Sequence, residues 1–219
     1  MSKWANRQDA NIQAIVFDFG GVLATFFRPE RFRAMEEELG LEAGSLPRIL
    51  WHTPDWRLAE LGTIDDEAYW RRTAPRLGLD PRAEGAEARL RAFRQALFDD
   101  VAPDPAMVDL VRRLGRRYRL GLLSNTPARE PGPLLRRHGL EGLFDVVILS
   151  AAVGLAKPDP AIYHLALERL GTAPAATIFV DDYEPNVAAA CELGLHGLHF
   201  SGYDALVAAL EALGVDAAA

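Results

Sequence analysis

Cysteine occurs once in the 219 residues, so no disulfide can close within the chain. Such sparing use fits a reducing compartment. Positive charge is also scarce, with 24 Lys and Arg against 31 Asp and Glu and a net charge of −7. Nucleic acid and anionic membranes both call for a basic face, so neither is expected as a partner. No apolar run approaches the roughly 20 residues of a membrane span. Residues 1–13 are polar and lack the apolar centre of a signal peptide. A cytoplasmic location is expected. Internal repeats are missing too, and the only biased segment is the alanine-rich stretch 208–219, which reads as a last helix fraying into a tail.

The apolar share of 49% and the length suit one α/β domain with an insertion, or two modest domains. Five short runs are apolar almost throughout: 14–17 (AIVF), 118–124, 146–150, 177–181 and 194–200. Strands covered by helices on both faces read this way. Helical patterns separate the last four. The one at 159–171 is well punctuated, with Asp159 as N-cap, Pro160 in the first turn and Gly171 past the end. Pro185 and Gly194 punctuate the next in the same way. Repeated strand, helix, strand implies right-handed crossovers and a doubly wound α/β sheet. Residues 26–99 differ. They contain no convincing strand and read as an inserted helical module, with Thr63 and Asp66 as a capping pair.

Ligands of an open α/β sheet bind beyond the carboxyl ends of its strands. Strand one ends on Asp18, strand two on Ser124-Asn125-Thr126, and strand four on Asp181-Asp182; Lys157 follows strand three. Three acids, one cation and a hydroxyl thus share one rim. Crowded carboxylates repel each other, and a divalent cation relieves the repulsion. Hard oxygen ligands suit Mg²⁺, which also holds substrate phosphate. Lys157, Ser124 and free backbone N–H groups of the Gly20-Gly21 turn are then donors for phosphoryl oxygens. Asp18, bare at a strand end, is placed to attack phosphorus and form an aspartyl-phosphate.

Taken in order, VFDFGGV, LLSNT, Lys157 in GLAKPDP, and FVDDYEPN resemble the four motifs of the haloacid dehalogenase superfamily of hydrolases. The resemblance implies a three-layer Rossmann-like core with strand order 5-4-1-2-3. It implies a helical cap over residues 26–99, with 1–25 and 100–219 forming the core. It also implies a Mg²⁺-dependent phosphatase of a small phosphorylated metabolite, acting as a monomer or homodimer. GLAKPDP and ELGTIDDEAYW are most similar to sugar-phosphate phosphatases of the glucose-1-phosphatase type. Carried over by position, Asp18 is the nucleophile and a metal ligand, and the Gly20 carbonyl is a second ligand. Asp182 binds metal, and Asp181 either does so or stands behind it. Ser124 and Asn125 contact the phosphoryl group, Lys157 neutralises charge beside Asp18, and Asn186 orients Asp182 or a metal-bound water.

One position departs from the family pattern. Gly20 stands where a second aspartate usually protonates the leaving group, a role worth roughly 10²–10⁴ in rate. Three ways round this are open: a good leaving group such as an anomeric sugar oxygen, an acid from the cap (Asp55, Glu60 or His52), or slow turnover. Two other functions compete with the phosphatase. A 2-haloacid dehalogenase would have no use for the acid pair at 181–182. A non-catalytic ligand-binding or partner-binding protein would have no need of Asp18, Lys157 and Asp182 together. His196 and His199, three apart on a strand, face opposite sides and read as structural. His138 and His164 read as surface or boundary residues. Cys191 reads as a small buried side chain. Trp51 or Trp56 is expected on the substrate side of the cap. The arginines of 112–117 and 136–137 read as solvated helix faces.

Overall fold

The computed structural model describes residues 12–25, 28–80, 82–98 and 101–217. Strand β1 (Ala14–Phe17) leads into helices α1 (Pro29–Leu39), α2 (Leu46–Leu50), α3 (Pro54–Glu60), α4 (Asp66–Thr73) and α5 (Ala86–Phe98). The chain returns through α6 (Pro105–Leu114) to β2 (Arg119–Ser124), then α7 (Pro131–Arg137) and β3 (Val146–Leu149). There follow the single turn α8 (Ser150–Val153), α9 (Pro160–Leu170), β4 (Thr177–Asp181), α10 (Glu184–Glu192), β5 (His196–His199) and α11 (Tyr203–Ala212). All five strands are parallel, in the order β3-β2-β1-β4-β5. This is the order that the resemblance implies, read from the other edge.

The continuous apolar run of β1 has a direct cause. It is the central strand, and its alternate residues enter two different cores. Ile15 and Phe17 pack with Met107 and Leu110 of α6 and Leu206 and Leu210 of α11. Ala14 and Val16 pack with Ile162 and Tyr163 of α9 and with Phe179. Helices on both faces make three layers. Each large apolar side chain buried in this way contributes about 1.5–3 kcal/mol relative to exposure.

A third core lies within the helical module, around Phe32, Leu46, Leu50, Tyr69, Trp70, Leu77, Phe93 and Leu97. Glu36 is buried there. Its carboxylate accepts the backbone N–H groups of Gly44 (2.7 Å) and Leu46 (2.8 Å), which offsets the cost of burying it. The module's expected limits at 25/26 and 99/100 fall on residues 26, 99 and 100, which lie outside the described residues.

Three local expectations need correction. Helix α4 is not capped by Thr63; Asp65 is its N-cap and accepts from Ala68 N at 2.6 Å. Thr53 caps helix α3 by accepting from Trp56 N at 3.1 Å. The C-terminal segment does not fray over its described part. Val215 and Ala217 are buried, and Arg113 donates to the Ala217 carbonyl. Arg113 and Arg117 (the latter paired with Asp216) therefore tie down this segment rather than simply facing solvent.

Candidate active site

Asp18 follows the last residue of β1, and its backbone N–H donates to the Val180 carbonyl at 2.9 Å. The chain then folds back on itself. Leu23 N and Ala24 N both donate to the Phe19 carbonyl, and Gly21 N donates to the Ala24 carbonyl at 2.8 Å. The Gly21 amide is therefore engaged, not free for a phosphate as the sequence suggested. The Gly20 amide has no partner among the described residues. Gly21 is needed for another reason. Its φ is +84°, and a Cβ there would sit 1.9 Å from Oδ2 of Asp182. The second glycine makes room for a carboxylate from β4.

Lys157 is buried, and its Nζ donates to Asp18 Oδ1 and to Asp181 Oδ2, each at 2.7 Å. The Phe179 ring lies 5.6 Å from Nζ. Asn125 fixes the lysine from behind: its Nδ2 donates to the Lys157 carbonyl (3.0 Å), and its Oδ1 accepts the Lys157 N–H (2.9 Å). Each half of that amide holds a backbone group of Lys157, so the side chain positions Lys157 while it also lines the cleft.

The two acids at the end of β4 have different surroundings. Asp181 is fully buried, with both oxygens satisfied. Oδ2 accepts from Lys157 and Asn186 (3.1 Å), and Oδ1 accepts from Tyr183 N (2.8 Å) and Asn186 (3.2 Å). Asn186 thus orients Asp181, where Asp182 or a metal-bound water was expected as its partner. Asp182 is exposed and reaches over Gly21. Asp18, Asp181 and Asp182 each present a carboxylate oxygen within 4.8 Å of the others.

Against one ammonium, three carboxylates leave this cluster two negative charges in excess. Burial pushes the Asp18 carboxyl up to about 7, with Asp181 adding to the rise and Lys157 opposing it. Burial and the neighbouring Asp181 raise Asp182 as well. Burial alone would pull the Lys157 ammonium down, but Asp18 and Asp181 together push it above its ordinary range. The arrangement is an anionic nest that a divalent cation would neutralise, with a cation already fixed beside Asp18.

The cluster floors a cleft of about 880 Å³. Ser124 and Gly20 line it near Asp18, and Trp51 and Trp56 both line it from the helical module. Of the three proposed cap acids, His52 and Glu60 reach the cleft. Asp55 is not among the cleft residues; Arg72 and Arg76 hold it at 3.1 and 2.7 Å and keep its pKa low. Several lining residues were missed in the sequence. Arg137 donates to the Phe98 carbonyl at 2.8 Å, so one of the arginines read as solvated stands at the cleft wall. His138, read as a boundary residue, packs on Phe19 with ring centroids 5.1 Å apart. A helix C-terminus carrying basic residues gave no sign that it would meet the end of α5. His199 Nε2 lies 2.9 Å from the Asp182 carbonyl, and His196 Nε2 lies 2.9 Å from the Ala175 carbonyl, so each bonds backbone.

A family model described as haloacid dehalogenase-like hydrolase matches residues 12–194. A sesquiterpene phosphatase of Aspergillus oryzae is 32% identical over 91% of this chain and 94% of its own length. A phosphorylated carbohydrates phosphatase of Thermotoga maritima is 27% identical over 86% of this chain and 84% of its own. Among solved structures, a haloacid dehalogenase family enzyme of Bacteroides thetaiotaomicron, in complex with magnesium and inorganic phosphate, superposes with a TM-score of 0.71. It is 24% identical, over 88% of this chain and 96% of that one.

Proposed function

Because the chain belongs to the haloacid dehalogenase-like hydrolase family, we propose that it is a Mg²⁺-dependent phosphohydrolase. Its substrate is a phosphate monoester of a small metabolite, cleaved through an aspartyl-phosphate on Asp18. The observation that supports this most is the Asp18–Lys157–Asp181 triad at 2.7 Å, with Asp182 beside it on the floor of one cleft.

The donor set fits magnesium: hard oxygens, an excess of two negative charges, and one acid exposed to solvent. Asp18, Asp182 and the Gly20 carbonyl would hold the ion, with Asp181 behind them because both its oxygens are occupied. Bound there, the ion would offset the charge of the phosphoryl oxygens. Asp18 attacks phosphorus, and the bond to the organic group breaks. Water then attacks the aspartyl-phosphate, and Asp18 returns as a carboxylate with inorganic phosphate released. Lys157 favours the ionised form of Asp18 against its burial and balances charge on the phosphoryl group. The Ser124 hydroxyl and the Gly20 amide are the remaining donors.

The helical module acts as a cap, and the organic half of the substrate lies between its aromatic faces and the core. Trp51, Trp56, Trp70 and Phe98 supply those faces. Such faces receive the C–H side of a sugar as well as a hydrocarbon. A sugar 1-phosphate, whose anomeric oxygen leaves readily, remains the first substrate to try. The sesquiterpene phosphatase relative adds prenyl-type monophosphates to the panel.

The test is phosphate release from sugar 1-phosphates, sugar 6-phosphates, a prenyl monophosphate, an acyl phosphate and p-nitrophenyl phosphate, with Mg²⁺ and with EDTA. Metal-dependent release that Asp18→Asn abolishes supports the reading. No release from any of them refutes it.

A further inference from the structure

Expelling an alkoxide from a phosphate monoester needs a proton donor, and the cleft floor has none to spare. Five carboxylates line the cleft among the described residues: Asp18, Glu60, Asp66, Asp181 and Asp182. Asp18 is the nucleophile, Asp181 is saturated by Lys157, Asn186 and Tyr183 N, and Asp182 belongs with the metal donors. Asp66 accepts from the Trp70 indole on one oxygen and is paired with the Arg94 guanidinium on the other. Two histidines are present. His52 is exposed to solvent. Burial and the adjacent Arg137 lower the pKa of His138, which disfavours its charged, proton-donating form.

Glu60 remains. It is the last residue of α3, with a side chain only 13% exposed. Its Oε1 accepts the Trp56 indole N–H at 2.8 Å, while Oε2 lies 3.6 Å from Arg57, beyond a hydrogen bond. The carboxylate is near enough to Lys157 to feel its charge. The turn that follows is docked on the core. Arg129 donates to the Gly62 carbonyl, and Gly62 (φ +67°) comes so close to α8 that a Cβ would sit 2.4 Å from the Ala151 carbonyl. A residue on the cap is thereby registered against strand ends on the core. Burial raises its pKa, which favours the protonated form, while the Trp56 bond and Arg57 oppose the rise.

We propose that Glu60 is the acid–base catalyst of this site, supplied from the cap in place of the group that Gly20 lacks. The proposal rests on the phosphatase reading above. As the bond from phosphorus to the leaving oxygen breaks, the proton on Oε2 passes to that oxygen, releasing the neutral alcohol. The resulting carboxylate then takes a proton from the water that attacks the aspartyl-phosphate. The protonated glutamate, the free Asp18 carboxylate and inorganic phosphate are regenerated, and no other reactant is consumed.

The test uses the full chain with Mg²⁺ and compares the panel's best alkyl monoester with p-nitrophenyl phosphate, whose phenolate leaves without a proton. Glu60→Gln keeps an acceptor for Trp56 and removes the acid. With the alkyl ester, kcat is expected to fall roughly 10²–10⁴-fold. With p-nitrophenyl phosphate, one equivalent of p-nitrophenolate per enzyme should appear at the wild-type rate, followed by a slowed steady state. In the wild type the alkyl kcat should fall on the basic side as Glu60 loses its proton, and Glu60→Gln should lack that limb.

The proposal is overturned if Glu60→Gln turns over the alkyl ester within about threefold of wild type. It is also overturned if Glu60→Gln slows the p-nitrophenolate burst as much as alkyl turnover, or if Glu60→Gln keeps the wild-type pH profile, since either would mark a structural role. In those cases the wild-type enzyme still hydrolyses the panel and the phosphatase reading stands. A wild-type protein inert to the whole panel refutes both.

Discussion

Replacing Gly21 with alanine tests the site's construction most directly. Two costs are superimposed there. A φ of +84° is left-handed backbone, which costs an alanine roughly 1–2 kcal/mol. The added Cβ would also overlap the Asp182 carboxylate, whose three heavy atoms lie 1.9, 2.3 and 2.8 Å away. Overpacking of this kind costs about 1–3 kcal/mol. The sum, about 2–5 kcal/mol, corresponds to a loss of order 10 °C in Tm for a chain of this length. Asp182→Ala alone, and the double variant, complete a thermodynamic cycle read by urea and thermal denaturation in EDTA. With the carboxylate gone, the collision vanishes and only the backbone cost remains. The double variant should therefore be about 1–3 kcal/mol more stable than the sum of the singles predicts. Gly21→Ala should also lose most of the stabilisation that millimolar Mg²⁺ gives the wild type, because Asp182 has been displaced. Additivity within about 0.5 kcal/mol would refute the idea that Gly21 exists to admit Asp182.

Other perturbations probe neighbouring contacts. Lys157→Met leaves two buried carboxylates without their cation and should cost about 3–5 kcal/mol in EDTA, measured by urea denaturation; a loss under 1 kcal/mol would mean that the pairs at 2.7 Å contribute little. Asp55→Asn breaks only a rim pair with half-exposed arginines, so stability should change by less than about 1 kcal/mol and kcat not at all; a large fall in kcat would return Asp55 to the list of acids. Glu60 has a raised pKa in the fold, so its contribution to stability is full below the ordinary glutamate value near 4.3 and is lost as pH rises through the folded pKa. Glu60→Gln should therefore gain Tm relative to wild type between about pH 5 and 8 while losing turnover, and a variant less stable than wild type across that range would contradict the burial argument.

How much of this was legible beforehand differs from residue to residue. Strand β4 falls where its apolar run and terminal acid place it, at 177–181. Asp18, Lys157, Asp181 and Asp182 meet because strand ends converge whatever the side-chain details. What could not be read was the division of labour between adjacent acids. Asn186 reaches back five residues from the first turn of α10, and that reach depends on where the helix begins. The role of Gly21 was hidden because it depends on a carboxylate 161 positions away. The choice of Asp65 over Thr63 as a cap depends on the path of the turn at Gly62, which docking on α8 imposes. Arg137, His138 and Phe98 join the cleft through tertiary contacts between segments with no sequence relation.

The strand order has a consequence for the growing polypeptide. β1 is synthesised first, yet both of its neighbours in the sheet come later, β2 about a hundred residues on and β4 later still. At roughly 5–20 residues per second, its four wholly apolar residues wait some 5–20 seconds for the first partner strand to emerge. During that interval the residues of the helical module's own core, Phe32 to Leu97, leave the ribosome. The nascent chain then carries those apolar residues immediately downstream of an unpaired, sticky strand. A ribosome stalled before β2 has left its exit tunnel should display β1 as a chaperone-binding segment, and one stalled after β4 has left the tunnel should not.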